Sequence, residues 1–379
     1  MTVIFLKDGK ERKIKNLYPW IFPDEVKEIV GDEPSFGEIV NVFSSKGEFL
    51  GKAFYGRRIR MIAREDVEID GKFFKAKIEK ALERRKDLGR FYRLFHAEAD
   101  GIPGLVIDRY GDGFVIQLRN KGVERFRNEI VDSLLDLFKP NFIHERSDFE
   151  TDLGENVEGR NETLYGKVPE DLRVEENGLL FKVDVVRGQK TGFFFDQRRN
   201  RLLVRNLQGK KALDLYTYTG GFALNLALAG FEVIGVDISG YDLEVARENA
   251  RMNGLNVEFV ESDVFDFLRE NRNKFDVVVA DPPSLIKSKS EKKKAVRIFS
   301  ELVSLIDDVL RDRGKLVLCS CAHQMDLQSL IESMRKGVEG RKVAWRILNV
   351  TYQDIDHPWI AQIPETLYLK CVWAVKDKP

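Results

Sequence analysis

KALDLYTYTGGFALNLALAGFEVIGVDI, residues 211–238, reads as strand, glycine turn, helix and strand. The same rhythm continues toward the C-terminus. YDLEVARENARMNG predicts a helix stopped by Gly254, a fitting residue just past a helix end. VEFVES predicts a strand, FDFLRENR a short helix and FDVVVADPP a strand. Lys289 to Arg311 reads as mainly helical, GKLVLCSC as a strand and LQSLIESMRKGVE as a helix. WRILNVTY and LYLKCVWAVK have no helix between them, so they are expected to pair as an antiparallel hairpin at one sheet edge. From about residue 176 to 379 the alternation predicts an α/β domain, a Rossmann-like parallel sheet with helices on both faces.

Upstream the pattern differs. Residues 1–70 hold short β-like runs (VIFL, EIVNVF, EFLGKAFY, RIRMIAR) separated by turn signals, which suggests a small β-barrel. Residues 73–175 read as an α+β domain. Its expected parts are a helix from Phe73 to about Phe95 carrying Phe74, Ile78, Ala81 and Leu88, two strands around the Tyr110–Gly113 turn, and a helix from Val123 to Phe138. The polar, acidic stretch from about 150 to 175 reads as a loop. No internal repeat is evident.

The chain has 379 residues, 43% hydrophobic and 33% charged, with formal net charge zero. Gross charge therefore does not point to nucleic acid, and any such contact must come from local clusters. Three cysteines, Cys319, Cys321 and Cys371, argue against a disulfide framework and for a reducing compartment. The N-terminus lacks a secretory apolar segment, and no apolar run is long enough to span a membrane. A cytoplasmic protein with no membrane contact is expected. A homodimer stays among the assemblies the sequence permits. No metal-ligand set is read.

Ligands of open parallel sheets bind at the carboxyl ends of the strands. The first strand ends at Asp214, followed by Tyr216 and the Gly220-Gly221 pair, which lets backbone turn tightly beside a ligand. The run is not G-x-G-x-x-G, so a nucleoside is favoured over a pyrophosphate. The second strand ends at Asp237, 23 residues after Asp214, with Ile238 next to it. A carboxylate there accepts from ribose hydroxyls, or else caps the next helix. Ser262-Asp263-Val264 follows the third strand, where Asp263 receives an adenine amine or caps a helix. The fourth strand ends at Asp281-Pro282-Pro283, whose prolines make a rigid platform for Asp281. Upstream, Gln197 and Arg198 are candidate partners for a ligand carboxylate, or part of a capped helix start. Together these residues outline a site for S-adenosylmethionine, and the signature is that of a methyltransferase.

The fifth strand ends at Cys319-Ser320-Cys321-Ala322-His323. Cys319 and Cys371 read as core. Cys321 at the strand end is the candidate nucleophile, with a small buried hydrophobe as the alternative. A thiolate suits methylation of cytosine at C5, because its addition to C6 makes C5 nucleophilic. With Asp281 on the neighbouring strand, Cys321 and Asp281 form the expected catalytic pair. Basic clusters at Lys13, Lys15, Arg57 and Arg58, and at Lys287, Lys289, Lys292 and Lys293 behind the Asp-Pro-Pro platform, are candidate phosphate contacts. Solvated surface is the competing reading of both.

These residues together resemble the RlmI-like family, PUA-domain methyltransferases of cytosine C5 in 23S rRNA. YPWIF (18–22), GEIVNVF (37–43) and GEFLGKAFYG (47–56) look like its PUA domain, a small RNA-binding barrel. YRLFHAEADGIPGLVIDRYGD (92–112) resembles its central domain. HERSD (144–148), GQKTGFFFDQRRNR (188–201), DLYTYTGGF (214–222), DPPS (281–284) and SCAH (320–323) are similar to its catalytic-domain motifs. The resemblance implies Cys321 as nucleophile, and Gln197, Arg198, Asp237, Asp263 and Asp281 as cofactor and active-site positions. It also implies rRNA as the partner. One departure is Ala322, where a serine is expected, followed by His323, where a glycine often sits. Two other readings stay open: methylation of an exocyclic amine such as guanine N2 without a covalent intermediate, and a non-catalytic RNA-binding scaffold.

Overall fold

The computed structural model describes residues 2–148, 154–155, 157–284 and 291–377. The chain divides into two compact units. One comprises residues 1–174, 183–195 and 355–366; the other comprises 175–182, 196–354 and 367–379.

The first unit contains two sheets. Strands β1 (Val3–Leu6), β2 (Trp20–Ile21), β3 (Val26–Val30), β4 (Ile39–Phe43), β5 (Phe49–Phe54) and β6 (Ile59–Ala63) form a six-stranded sheet in the order β2-β6-β5-β4-β1-β3. Ile4, Leu6, Val40, Val42, Ile59 and Met61 build its core with Ile14 from α1 (Glu11–Lys15). The second sheet, ordered β11-β10-β9-β8-β7, joins β7 (Phe91–His96), β8 (Leu105–Tyr110), β9 (Gly113–Leu118), β10 (Phe142–Arg146) and β11 (Asn161–Gly166). It is backed by α2 (Gly71–Glu83), which Asp70 caps by accepting from the Phe73 amide at 2.9 Å. Short helices α3 (Ala97–Asp100) and α4 (Lys121–Glu124) precede α5 (Arg127–Phe138), which packs beside α2.

Two expectations change in this unit. The predicted helix stops at Glu83, and Phe91–His96 is a strand that leaves Leu88 in the connection. A short apolar run beside a helix has no period long enough to tell the two apart. The predicted loop at 150–175 contains β11, which pairs antiparallel with β10, and the start of β12 (Arg173–Glu176). β12 pairs with β13 (Leu179–Lys182).

The second unit is built on a seven-stranded sheet. Its strands are β14 (Lys211–Leu215), β15 (Glu232–Asp237), β16 (Glu258–Glu261), β17 (Phe275–Ala280), β18 (Leu310–Ser320), β19 (Ala344–Tyr352) and β20 (Lys370–Asp377), in the order β16-β15-β14-β17-β18-β20-β19. β14 to β18 run parallel, and β20 lies antiparallel between β18 and β19, as the missing helix foretold. The helices are α6 (Arg198–Leu203), α7 (Gly221–Leu228), α8 (Gly240–Met252), α9 (Val264–Glu270), α10 (Lys292–Val309) and α11 (Leu327–Gly337). Leu213, Leu215, Val278, Ala280, Leu316 and Leu318 point to one face, where α9, α10 and α11 bury Leu268, Phe299, Leu302 and Leu330 against them. Side chains alternate across a sheet, so Asp214, Val279, Asp281 and Cys319 belong to the opposite face. The registers Asp214↔Val279, Val279↔Val317 and Cys319↔Cys371 place these residues across four adjacent strands. The switch point between β14 and β17 therefore has Asp214 and Asp281 on one face, where an open α/β sheet binds ligands, with Cys319 and Cys371 on the same face of β18 and β20.

Candidate active site

The loop after β14 is the most strained part of the site. Tyr216 has φ +62°, Tyr218 +51° and Gly220 +87°. Non-glycine residues rarely hold such values and concentrate at functional loops. At Gly220 the φ favours glycine, and a Cβ would come within 2.7 Å of Leu224 Cδ1, so that side chain would have to shift. Asp214 holds the loop from below. Its Oδ2 accepts from Thr217 Oγ1 at 2.5 Å and from the Ala223 amide, at the start of α7, at 2.9 Å. Asp237 holds it from the side, with Oδ2 accepting from the Tyr218 amide and Oδ1 from the Ser239 amide. Asp237 is thus not the cap of α8; Ser239 is, through the Asp242 amide. Asp263 does cap its helix, its Oδ1 accepting from the Phe265 and Asp266 amides. The charges of Asp263 and Asp237 both act on the Tyr216 phenol, adding to burial in raising its pKa. Ile238 is 71% exposed, an apolar side chain standing at the end of β15. Val264 differs from expectation: its side chain lies in the sheet core, so only its backbone can face a ligand.

The residues expected to grip a carboxylate have other partners in the chain. Gln197 Nε2 donates to Asp281 Oδ2 at 2.9 Å, and Gln197 Oε1 accepts from Asn200 Nδ2 at 2.7 Å. Gln197 is therefore a brace for Asp281. Arg198 lies 3.6 Å from Glu176 and 3.7 Å from Asp354, both longer than direct hydrogen bonds. Neighbouring Arg201 makes the close bidentate pair with Glu176, at 2.6 and 2.7 Å. Sequence reading missed Asn200 and Glu176: Glu176 meets Arg201 from 25 residues away, and Asn200 bonds both nearby Gln197 and the distant Tyr352 carbonyl. In the first unit, HERSD spans the end of β10 and the residues after it. Arg146 Nη1 donates to the carbonyls of Val185 and Gly188, and Glu145 is buried against Arg127. Thr191 Oγ1 donates to Asp108 at 2.6 Å, which anchors the start of the GQKTGFFF stretch.

Cys319 is fully buried and Cys371 lies opposite it on β20. Burial raises both thiols, so they are poor nucleophiles. Cys321, the first residue beyond β18, is only partly buried. Of the three thiols it is the one that solvent reaches at the ligand-binding end of the sheet. His323 lies with its ring 5.7 Å from that of Tyr368.

The basic candidates divide. Lys13 and Lys15 are paired with Glu25 and Glu48, each at 2.5 Å, which lowers their value as phosphate contacts. Arg58 stacks 4.5 Å from the Trp20 ring and 5.3 Å from Phe22, while Arg57 is exposed. Lys292 is bound to Asp326 at 2.7 Å and Lys293 is exposed at the start of α10. Lys287 and Lys289 lie outside the described residues.

Asp214 carries a signature in pH. Burial raises its pKa to about 7, with Asp281 and Asp237 adding to the rise. The unfolded carboxyl titrates near 3.9, so between about pH 4 and 7 the folded state binds more protons. Stability therefore falls as pH rises through that window, by about 4 kcal/mol at most. Asp214→Asn removes the buried charge while its amide oxygen still accepts from Thr217 and Ala223. The variant is expected to melt above the wild type at pH 8, with the gap narrowing as pH falls toward 5. Thermal melts across pH check this; parallel curves would contradict it.

The chain matches a methyltransferase-domain family over residues 206–362 and a PUA-like domain over residues 4–64. It is 36% identical to the ribosomal RNA large subunit methyltransferase I of Shewanella denitrificans, covering 97% of both chains. The protein of that name from Photobacterium profundum is also 36% identical, over 97% of this chain and 98% of that one. A SAM-dependent methyltransferase structure from Streptococcus mutans superimposes with a TM-score of 0.85 at 23% identity, covering 99% of this chain and all of that one. A methyltransferase structure complexed with SAH gives a TM-score of 0.86 at 22% identity, with the same coverage. Among the described residues no helix is long and apolar enough to cross a membrane.

Proposed function

We infer that this chain, which belongs to the ribosomal RNA large subunit methyltransferase I family, methylates C5 of a cytosine in large-subunit ribosomal RNA through a Cys321 adduct. The chain is a methyltransferase that uses S-adenosylmethionine. The observation that carries the finer reading is the placement of a partly buried thiol at the end of β18, beside the strand that ends in Asp281.

The residues present fit the cofactor. Among the described residues Asp214 Oδ1 is buried with no hydrogen-bond partner, and the charges of Asp281 and Asp237 both act on this carboxyl. A cationic ligand relieves both costs. Asp237 and Asp263 would hold the nucleoside, Ile238 would cover its base, and Tyr216 and Gly220 would shape the wall. When bound, S-adenosylmethionine supplies an electrophilic methyl group. Cys321 Sγ adds to C6 of cytosine, and the C5–C6 π pair moves to C5, which becomes the nucleophile. Asp281, braced by Gln197, hydrogen-bonds the N3/N4 edge and selects cytosine. Loss of the C5 proton to a base then returns the pair, and the S–C6 bond breaks. A base inside folded RNA has to leave its stack to reach such a site. Residues 1–70, with Arg58 stacked on Trp20, are the RNA-binding module of this reading. Residues 73–175 and 176–379 are its central and methyltransferase domains.

The test is chemical identification of the product. Labelled cofactor is incubated with rRNA from cells lacking the gene, and the RNA is digested to nucleosides. 5-Methylcytidine at one position is expected. Label on a guanine exocyclic amine would replace this reading by the non-covalent one, and label on protein alone would end both.

A further inference from the structure

Lys370 is the only charge in the run Leu367–Val375, and it is buried at 5% exposure. A lone ammonium at a core position of a β-strand costs free energy unless an anion meets it. β20 pairs Lys370 directly with Ser320, so the two side chains leave the same face of the sheet. Its Nζ donates to the Ala322 carbonyl at 2.9 Å. Ser320 and Ala322 flank Cys321, so the ammonium is fixed at the turn that carries the thiol. Among the described residues no carboxylate lies within ion-pair distance of Nζ.

The charged and titratable groups around Lys370 narrow the choice of counter-ion. Cys321 and Asp326 act on it from the segment after β18, Cys371 from its own strand, and Tyr352 stands opposite on β19. Asp326 already has a cation, since Lys292 binds its Oδ2 at 2.7 Å and the Ser329 amide binds Oδ1 at 2.8 Å. Cys371 is held neutral by burial. Cys321 comes first among the charges that act on Lys370, and its sulfur gains from a neighbouring positive charge.

We propose that Lys370 is a positioning residue that holds Cys321 as a thiolate, its buried ammonium serving as the counter-ion of the sulfur. An adjacent lysine favours the anion of a thiol, and the anion is the nucleophilic form. Burial brings Lys370 itself down to about 8, so the pair is charged near neutrality and uncouples above that pH. The proposal rests on the covalent reading only for what the thiolate is used for. The ionisation of Cys321 is measured without RNA.

The test follows alkylation of Cys321 by iodoacetamide against pH in the full-length protein, reading the Cys321 peptide by mass spectrometry. Cys319 and Cys371, both buried, serve as slow internal references. In the wild type, Cys321 should titrate below the ordinary thiol value of about 8.5. Lys370→Met replaces a buried charge by an apolar chain of similar length, so the fold should be kept and the melting temperature equal or higher. Its Cys321 pKa should rise by about one unit or more, and its alkylation rate at pH 7 should fall on the order of tenfold. Lys370→Arg should retain most of the wild-type curve. Superimposable curves for wild type and Lys370→Met would overturn the proposal, as would an ordinary thiol pKa in the wild type. A shifted curve with no RNA adduct at Cys321 would leave this inference standing and remove the covalent reading alone.

Discussion

Cys321→Ala should lose RNA methylation by about 10⁴-fold or more, the scale on which deletion of a covalent nucleophile acts. The reason lies in the substrate: C5 of cytosine is too weak a nucleophile until a group adds to C6, and no side chain of the variant can make that bond. Cofactor affinity should stay within about threefold of the wild type, because Cys321 lies beyond β18 while the proposed nucleoside contacts sit at the ends of β14, β15 and β16. Stability should hardly change, since the side chain is only partly buried. Single-turnover methylation and calorimetric titration of the cofactor separate these effects. Near-wild-type turnover in the variant would point to the exocyclic-amine reading. Cys319→Ala is the informative control: it empties space in the core beside Cys371 and should cost stability rather than chemistry.

Asp281→Asn should lower turnover by about 10²–10⁴-fold, as loss of a positioned charged group at a reacting base does. The Pro282-Pro283 pair fixes the backbone after it, and Gln197 Nε2 fixes its Oδ2, so asparagine would sit in nearly the same place. What changes is the charge presented to the N3/N4 edge of the base. Gln197→Ala tests the brace. It leaves the carboxylate but frees it to rotate, and should cost about tenfold in turnover. Turnover of Asp281→Asn within threefold of the wild type would remove Asp281 from the chemistry.

The sheet and the acids at its strand ends were legible because they depend on local pattern. Strand and helix periods alternate from residue 211 onward, and the acids Asp214, Asp237 and Asp281 stand where strands end. Contacts between distant segments were not legible. Gln197 reads from sequence as a candidate partner for a ligand carboxylate or part of a capped helix start, but it meets Asp281 across 84 positions of chain. Lys13 and Lys15 read as a basic cluster until Glu25 and Glu48 come beside them. Asp263 shows a further limit, because the carboxylate that caps α9 also acts on the Tyr216 phenol, a neighbour that lies far off in the chain. Val264 was read by position, and the core took its side chain. Lys370 did leave a signal, the one charge in the otherwise apolar run Leu367–Val375, but its meaning needed the strand register.

The most direct measurement uses large-subunit rRNA in which cytidine carries fluorine at C5. Fluorine replaces the proton whose loss would release the enzyme, so a covalent intermediate should accumulate after methyl transfer. Incubation with the protein and S-adenosylmethionine should give a denaturation-resistant protein–RNA complex, with the nucleotide attached at Cys321 by peptide mass spectrometry. Cytosine methylation of unmodified RNA with no such complex, or attachment at any other residue, would contradict the covalent role of Cys321.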